Sequence, residues 1–251
     1  QGLILCPTRE LGQQIAHQLF KFTRYTDRIF TECIYGGAQI GPQIKALKRT
    51  THILVATPGR LIELVNKQAV DLSGVKTVIL DEADEMLSLG FRDDLDQILS
   101  MIGRVENKWL FSATLPEAVY KIINTHLSAG AEQVRVNQKS GINKKVEHQF
   151  VVCDEREKPF VLQAFLKSKR KNQGLVFCKT KATAKQVLQQ LEAADFSVDG
   201  IHGDMLQKDR EKALRRFKKG NCDLLVATDI AARGIHVDKL QFVVHYELPA
   251  Q

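Results

Sequence analysis

The sequence contains its own internal repeat. Gly2-Leu3-Ile4-Leu5-Cys6-Pro7-Thr8-Arg9 is matched by Gly174-Leu175-Val176-Phe177-Cys178-Lys179-Thr180-Lys181. Lys45-Ala46-Leu47-Lys48-Arg49 is matched by Lys212-Ala213-Leu214-Arg215-Arg216, and Leu54-Val55-Ala56-Thr57 by Leu225-Val226-Ala227-Thr228. The offsets are 172, 167 and 171, so the order is kept and only loop lengths differ. One such match arises by chance; three in the same order imply tandem copies of one plan. Short runs rich in Leu, Ile and Val alternate with amphipathic stretches. Strands are expected at 2–6, 33–35, 53–56, 77–80, 109–111, 149–152, 175–178, 223–227 and 242–246. Helices are expected at 11–22, 95–102, 118–127, 159–167, 184–193 and 209–218. Apolar strands alternating with helices specify a parallel sheet covered on both faces. The expected fold class is therefore α/β, with two tandem domains, each a parallel sheet flanked by helices. The polar stretch Ser140-Gly141-Ile142-Asn143-Lys144-Lys145 suits a tether. It divides the chain into a first domain over 1–137, a linker over 138–147 and a second domain over 148–251.

Composition removes several classes. Apolar residues at 44% and charged residues at 26% exclude disordered and collagen-like chains. No apolar run approaches the roughly 18 residues of a membrane span, so no membrane partner is expected. Five cysteines without a C-x-x-C pair, and seven histidines without H-E-x-x-H, argue against a zinc site. They suit free thiols acting as small hydrophobes in a reducing, cytoplasmic compartment. The net charge of +7 is uneven: residues 1–137 carry 15 basic and 15 acidic side chains, and residues 138–251 carry 21 and 14. A basic second half suits an anionic partner such as nucleic acid, although a solvated Lys-rich surface explains it equally well.

Parallel sheets bind ligands outside the carboxyl ends of their strands. There Asp81-Glu82-Ala83-Asp84 closes the apolar run 77–80. An Asp in that place suits a Mg²⁺ held through water, and a Glu beside it suits the positioning or deprotonation of a water for attack on a phosphate. On spacing alone, a solvated acidic turn opening a helix is the better fit. Ser112-Ala113-Thr114 follows the next strand. Thr114 with Glu117 reads as a capping box, whereas Ser112 stands where its hydroxyl reaches a neighbouring carboxylate. Cys6-Pro7-Thr8-Arg9-Glu10 and Ala56-Thr57-Pro58-Gly59-Arg60 are strand-to-helix turns, with Thr57 placed as an N-cap and Pro58 at the first helical position. Helix starts offer free N–H groups to a phosphate, each of these carries an Arg, and Gly36-Gly37 permits close backbone approach. Each turn taken alone is also ordinary helix punctuation. In the second half, His202-Gly203-Asp204 with Arg210, and Thr228-Asp229 ahead of Arg233-Gly234, suit ligand-facing loops or polar loops with surface ion pairs.

Taken together, Pro7-Thr8-Arg9-Glu10-Leu11, Gly36-Gly37, Thr57-Pro58-Gly59-Arg60, Asp81-Glu82-Ala83-Asp84, Ser112-Ala113-Thr114 and Ala227-Thr228-Asp229-Ile230-Ala231-Ala232-Arg233-Gly234 occur in one order. In that order the chain resembles the DEAD-box ATP-dependent RNA helicases over nearly its whole length. The resemblance implies two RecA-like domains that close around ATP–Mg²⁺ and single-stranded RNA, with hydrolysis resetting the clamp. It makes Asp81 the magnesium-associated carboxylate and Glu82 the activator of water. Asp84, Ser112 and Thr114 would couple the nucleotide to the RNA, and Gly234 and His236 would stand on the ATP side. Pro7, Thr8, Arg9, Gly36, Gly37, Thr57, Gly59 and Arg60 would meet RNA sugar and phosphate in the first domain. Gly203, Arg210, Thr228 and Asp229 would do or support the same in the second. Such contacts carry little base information, so recognition is expected to be largely sequence-independent, by a monomer.

Departures from the family pattern shape the expectation. No G-x-x-x-x-G-K-[ST] phosphate loop occurs in the 251 residues, and the basic H-R-x-G-R segment that supplies arginine fingers is not reached. The chain opens on Gln1 and is read as an internal piece of a longer helicase, with negligible ATPase activity by itself. His236 stands where the family usually has an Asp near the ATP ribose. Two other readings remain: a DNA helicase on the same fold, and an RNA-binding clamp without ATPase activity.

Overall fold

The computed structural model describes residues 1–26, 28–103, 105–127, 130–136, 146–232, 237 and 240–248. The chain divides into two compact units, Gln1–Val134 and Arg135–Gln251. Most of the expected tether, at 138–145, lies outside the described residues.

The first unit runs β1 (Gly2–Leu5), α1 (Arg9–Thr23), β2 (Thr31–Ile34), α2 (Ile40–Leu47), β3 (Ile53–Ala56), α3 (Pro58–Asn66), β4 (Thr77–Leu80), α4 (Ala83–Ser88), α5 (Arg92–Met101), β5 (Asn107–Leu110) and α6 (Glu117–His126). Its five strands are all parallel, in the order β2-β3-β1-β4-β5. The second unit runs α7 (Lys158–Ser168), β6 (Gly174–Cys178), α8 (Lys181–Ala193), β7 (Val198–Ile201), α9 (Gln207–Lys218), β8 (Leu224–Thr228), α10 (Asp229–Ala232) and β9 (Phe242–His245). Its four parallel strands take the order β7-β8-β6-β9. Replacing β1, β2, β3 and β4 by β6, β7, β8 and β9 turns β2-β3-β1-β4 into the second order. The repeated words lie at matching places: the first on β1 and β6, the second on α2 and α9, and the third on β3 and β8.

The interior strands β1, β3, β6 and β8 are almost wholly apolar because successive residues face opposite sides and both sides are covered. In β1, Leu3 and Leu5 pack into a core with Leu54, Val78, Leu80, Leu95 and Ile98. Ile4 and the following Cys6 face the other way, against Val55 and the Leu11, Ile15 and Leu19 side of α1. In β6, Leu175 packs with Ala213 and Phe217 of α9, while Val176 packs with Val187 and Leu191 of α8.

Three expectations fail. The run 149–152 pairs with no strand among the described residues, and Phe150, Val151 and Val152 remain exposed. β-propensity alone does not make a strand, because what it reports is packing against cross-strand neighbours, and here none is paired. Conversely, β7 was not expected, because Asp199 and Gly200 interrupt its apolar pattern. The helices α2, α4 and α10 were also missed, being too short for a periodicity to declare itself.

Candidate functional site

Because every strand in the first sheet is parallel, the residues after β1, β2, β3, β4 and β5 share one edge of that sheet. At the exit of β4, the Asp81 N–H donates to the Leu5 carbonyl at 2.9 Å. One carboxylate oxygen of Asp81 accepts the Glu82 N–H at 3.0 Å. Burial pushes the Asp81 carboxyl above the ordinary range, and the Glu82 N–H only partly offsets this. A carboxylate whose charged form is disfavoured by its surroundings is one that a cation would relieve. Glu82 itself adopts the left-handed conformation, with φ 50° and ψ 54°, at the N-cap of α4. That geometry costs a non-glycine residue about 1–2 kcal/mol. It is held by the Met86 N–H on the Glu82 carbonyl and by the Ala83 N–H on the Phe111 carbonyl, both at 3.0 Å. Strain retained at a carboxylate on a ligand-facing edge commonly accompanies function.

Asp84 and the turn after β5 are bound together. The Thr114 hydroxyl donates to Asp84 Oδ2 at 2.6 Å, and the Thr114 N–H donates to the same oxygen at 2.8 Å. Ser112 Oγ accepts the Asp84 N–H at 3.2 Å and donates to the Thr114 carbonyl at 2.6 Å. Burial raises the Asp84 carboxyl, but the two Thr114 donors, with Ser112 and the Glu85 N–H, together hold it below its ordinary value. This corrects the capping-box reading of Thr114. The N-cap of α6 is Pro116, without a side-chain cap, and the Thr114 hydroxyl goes to Asp84 instead. The charge-assisted hydrogen bond holds the Thr114 hydroxyl on Asp84, and Thr114 stands two residues before the N-cap position. Ser112 meets Asp84 at its backbone N–H, with its own proton committed to the Thr114 carbonyl.

On the other side of this edge, the side chains converge on the loop after β2. Thr8, behind the buried Pro7, caps α1 by accepting the Leu11 N–H at 3.3 Å. Arg9 is 7% exposed; it donates to the Gly36 carbonyl at 3.4 Å and lies over the Tyr35 ring at 4.6 Å. Arg60 donates to the Ala38 carbonyl at 2.9 Å and pairs with Glu63 at 3.0 Å. Thr57 holds the N-cap position of α3, with Pro58 following as expected, yet its hydroxyl does not cap. It accepts the Gly36 N–H at 3.3 Å. Two arginines and a threonine thus brace the loop from within. Gly37 has φ +73°, and a Cβ there would stand 3.4 Å from the Arg9 guanidinium. Gly59 opens α3, where a Cβ would meet Asp94 at 3.7 Å.

The second unit repeats the scheme. Thr180 caps α8 as Thr8 caps α1. Gly203 follows β7 and lies against Lys181. Thr228 ends β8 at 8% exposure, and Asp229 opens α10. Arg210 donates to the Ala231 carbonyl at 2.6 Å, bracing the exit of β8 much as Arg9 braces the exit of β2. Asp204 is bridged by Lys181 at 2.7 Å and Lys185 at 2.9 Å, which hold its carboxyl down at about 2. The expected positions Gly234 and His236 lie outside the described residues.

The DEAD/DEAH box helicase family model matches residues 1–122, and the helicase conserved C-terminal domain model matches residues 157–251. A hypothetical ATP-dependent RNA helicase from Sulfolobus tokodaii is 32% identical, with a TM-score of 0.52, over 100% of this chain and 72% of its own. The chain belongs to the DEAD-box RNA helicase family. Its two units are the tandem RecA-like domains of that family. The DEAD-box ATP-dependent RNA helicase CshA of Streptococcus pneumoniae is 39% identical over 249 residues, covering 99% of this chain and 47% of the relative. The CshA of Listeria monocytogenes is 37% identical over 249 residues, covering 99% and 48%. The chain thus spans about half the length of the curated relatives it matches. The structure of Saccharomyces cerevisiae Dbp5 bound to RNA and ADP BeF3 is 25% identical with a TM-score of 0.88, over 100% of this chain and 63% of that one.

Among the strand-exit residues of the two units, sequence reasoning passed over Tyr35, Thr180 and Lys181, and the ion pairs of Asp204 with Lys181 and Lys185 are the surface pairing expected of a polar loop. For Thr180 and Lys181 the signal was present, since the internal repeat aligns them with Thr8 and Arg9. Tyr35 had none, because its contact with Arg9 joins residues far apart in the chain. Among the described residues, no three His, Cys, Asp or Glu side chains converge as a metal cage. The donor set at Asp81, one half-buried carboxylate, suits Mg²⁺, which keeps several waters and takes one or two carboxylates. No described helix is long and apolar enough to cross a membrane.

Proposed function

We propose that this chain forms the two RecA-like domains of an ATP-driven, cytoplasmic RNA-remodelling enzyme that separates short duplexes, acting as a monomer. Asp81 would hold Mg²⁺ through water, and the ion when bound would neutralise phosphate charge. Glu82, fixed in its left-handed turn, would orient and deprotonate the attacking water. Gly234 and His236 would face the nucleotide. In the first domain the backbone at Pro7, Thr8, Gly36, Gly37, Thr57 and Gly59 would meet RNA phosphates, with Arg9 and Arg60 supporting that loop. In the second domain Gly203 and Thr228 would do the same, with Arg210 and Asp229 behind them. ATP binding would close the domains on a bent strand, and hydrolysis would release it.

The observation that carries the reading is the bridge from Asp84 to Thr114. It ties the turn holding Asp81 and Glu82 to the neighbouring strand exit through a 2.6 Å hydrogen bond, so a change at one is felt by the other. The Dbp5 neighbour, bound to RNA and ADP BeF3, supports the same ligands here.

The test uses the full-length gene product. Glu82→Gln is expected to lower RNA-stimulated ATP turnover by about 10²–10⁴, the usual contribution of a general base, while RNA binding persists. Turnover at the wild-type rate would overturn the assignment, and stimulation by DNA in preference to RNA would favour a DNA helicase. The 251 residues alone, containing no G-x-x-x-x-G-K-[ST] loop, are expected to hydrolyse ATP negligibly.

A further inference from the structure

The charge excess of the chain is concentrated on one helix. Residues 208–219 hold seven Lys and Arg against Asp209 and Glu211, a net +5 of the chain's total of +7. Helix α9 turns Ala213, Leu214 and Phe217 into the core. Lys208, Lys212, Arg215 and Lys219 recur at spacings of four, three and four along its outer face and are exposed. With Arg216 and Asn221 they line an open groove of about 540 Å³, into which Asp209 brings the one carboxylate among its lining residues.

Ordinary helix stability does not account for this stripe. A basic last turn complements the helix dipole, which covers Arg215 and Lys219, but Lys208 and Lys212 sit in the first half, where a carboxylate is the stabilising choice. The pairs Lys208 with Lys212, Lys212 with Arg216 and Arg215 with Lys219 are like charges at i,i+4, each costing about 0.2–0.5 kcal/mol. Asp199 pairs with Arg216 at 3.0 Å. Among the described residues, no carboxylate stands within ion-pair distance of Lys208, Lys212, Arg215 or Lys219. A stripe that repels itself is relieved by a polyanion laid along it.

The stripe also starts in a telling place. The first turn of α9 follows the loop carrying Gly203, and Arg210 on the same helix reaches the exit of β8. From residue 208 to residue 219 the helix rises about 16 Å, at 1.5 Å per residue. We propose that the outer face of α9 is a second RNA-backbone track, which takes up the strand as it leaves the strand exits of this domain. The inference rests on the RNA-binding reading above and extends it to residues outside the motifs.

Its test compares wild-type chain with Lys212→Gln/Arg215→Gln/Lys219→Gln and with Arg60→Ala, by titrating a labelled single-stranded RNA of about 20 nucleotides at several salt concentrations. The three substituted side chains are exposed and repel their neighbours, so a melting curve unchanged or shifted slightly upward is expected. Each lost phosphate contact lowers the salt slope by about 0.7, and the triple variant is expected to lose about 2. Between about 50 and 200 mM salt the gap between variant and wild type should then shrink by roughly 20-fold. Wild-type affinity and slope in the triple variant, with loss in Arg60→Ala, would overturn the track and leave the RNA reading standing. Weakening in the triple variant alone would support the track and count against the first-domain row. An absence of RNA binding by the wild-type chain would overturn both.

Discussion

Removing the hydrogen bond between Thr114 and Asp84 should uncouple two strand exits by a measurable energy. The perturbation is a double-mutant cycle of Thr114→Val and Asp84→Asn. The hydroxyl bond is 2.6 Å long and ends on a carboxylate, so it belongs to the charge-assisted class, for which about 1.5–3 kcal/mol is usual. Thr114 is exposed and Asp84 only partly buried, so solvent screening lowers the expected coupling to about 1 kcal/mol. The chain's single tryptophan, Trp109, lies on β5, a few residues before Thr114. Urea unfolding followed by its fluorescence therefore reads the first unit without interference from the second. The folded Asp84 carboxyl lies below its ordinary 3.8. The coupling should thus be complete above that ordinary value and fade as pH falls through the lower, folded one. A coupling below about 0.3 kcal/mol at neutral pH would refute the reasoning, since additivity is what independent sites show. In the full-length protein, the same Thr114→Val change should reduce unwinding more than RNA-stimulated ATP turnover.

Two further perturbations test the packing and the second unit. Gly12→Ala would place a Cβ 3.2 Å from Cys6 Sγ and 3.3 Å from Cys33 Sγ, both set in the sheet beneath α1. Overpacking of about 1–3 kcal/mol should outweigh the roughly 1 kcal/mol that alanine gains over glycine in a helix, and adding Cys33→Ala should recover stability. A Gly12→Ala chain more stable than wild type in urea would contradict this. For Asp204, the two lysines that hold its carboxyl near 2 contribute stability above its ordinary 3.8, lost as pH falls toward 2. Observing the Asp204 carboxyl by NMR titration should show the low midpoint in the wild type and a return toward 3.8 in Lys181→Ala/Lys185→Ala; an unchanged midpoint would remove the bridge from consideration.

What the sequence determined was whatever depends on residues close together in the chain. Leu3-Ile4-Leu5 and Leu225-Val226-Ala227 read as doubly covered strands because burial on both faces demands apolar residues at every position. The order of the motifs put Asp81, Glu82 and Thr228 at strand ends, and the parallel topology of each sheet then gathered that sheet's own strand ends on one side. Tertiary structure decided the partner of each polar side chain. Thr114 and Thr57 both carry the local signature of a helix cap, yet one hydroxyl goes to Asp84 and the other to the Gly36 N–H. A cap competes with every other donor or acceptor within reach, and which ones are within reach is set by the pairing of β4 with β5 and of β2 with β3. Arg9 and Arg60 turned inward for the same reason, since the carbonyls of Gly36 and Ala38 came to them only when the sheet formed. The run 149–152 has a strand's composition but pairs with no strand among the described residues, and β7 has a poor strand composition yet pairs along its length with β8. Local pattern proposes a strand or a cap, but the hydrogen-bond partner that realises it comes from elsewhere in the fold.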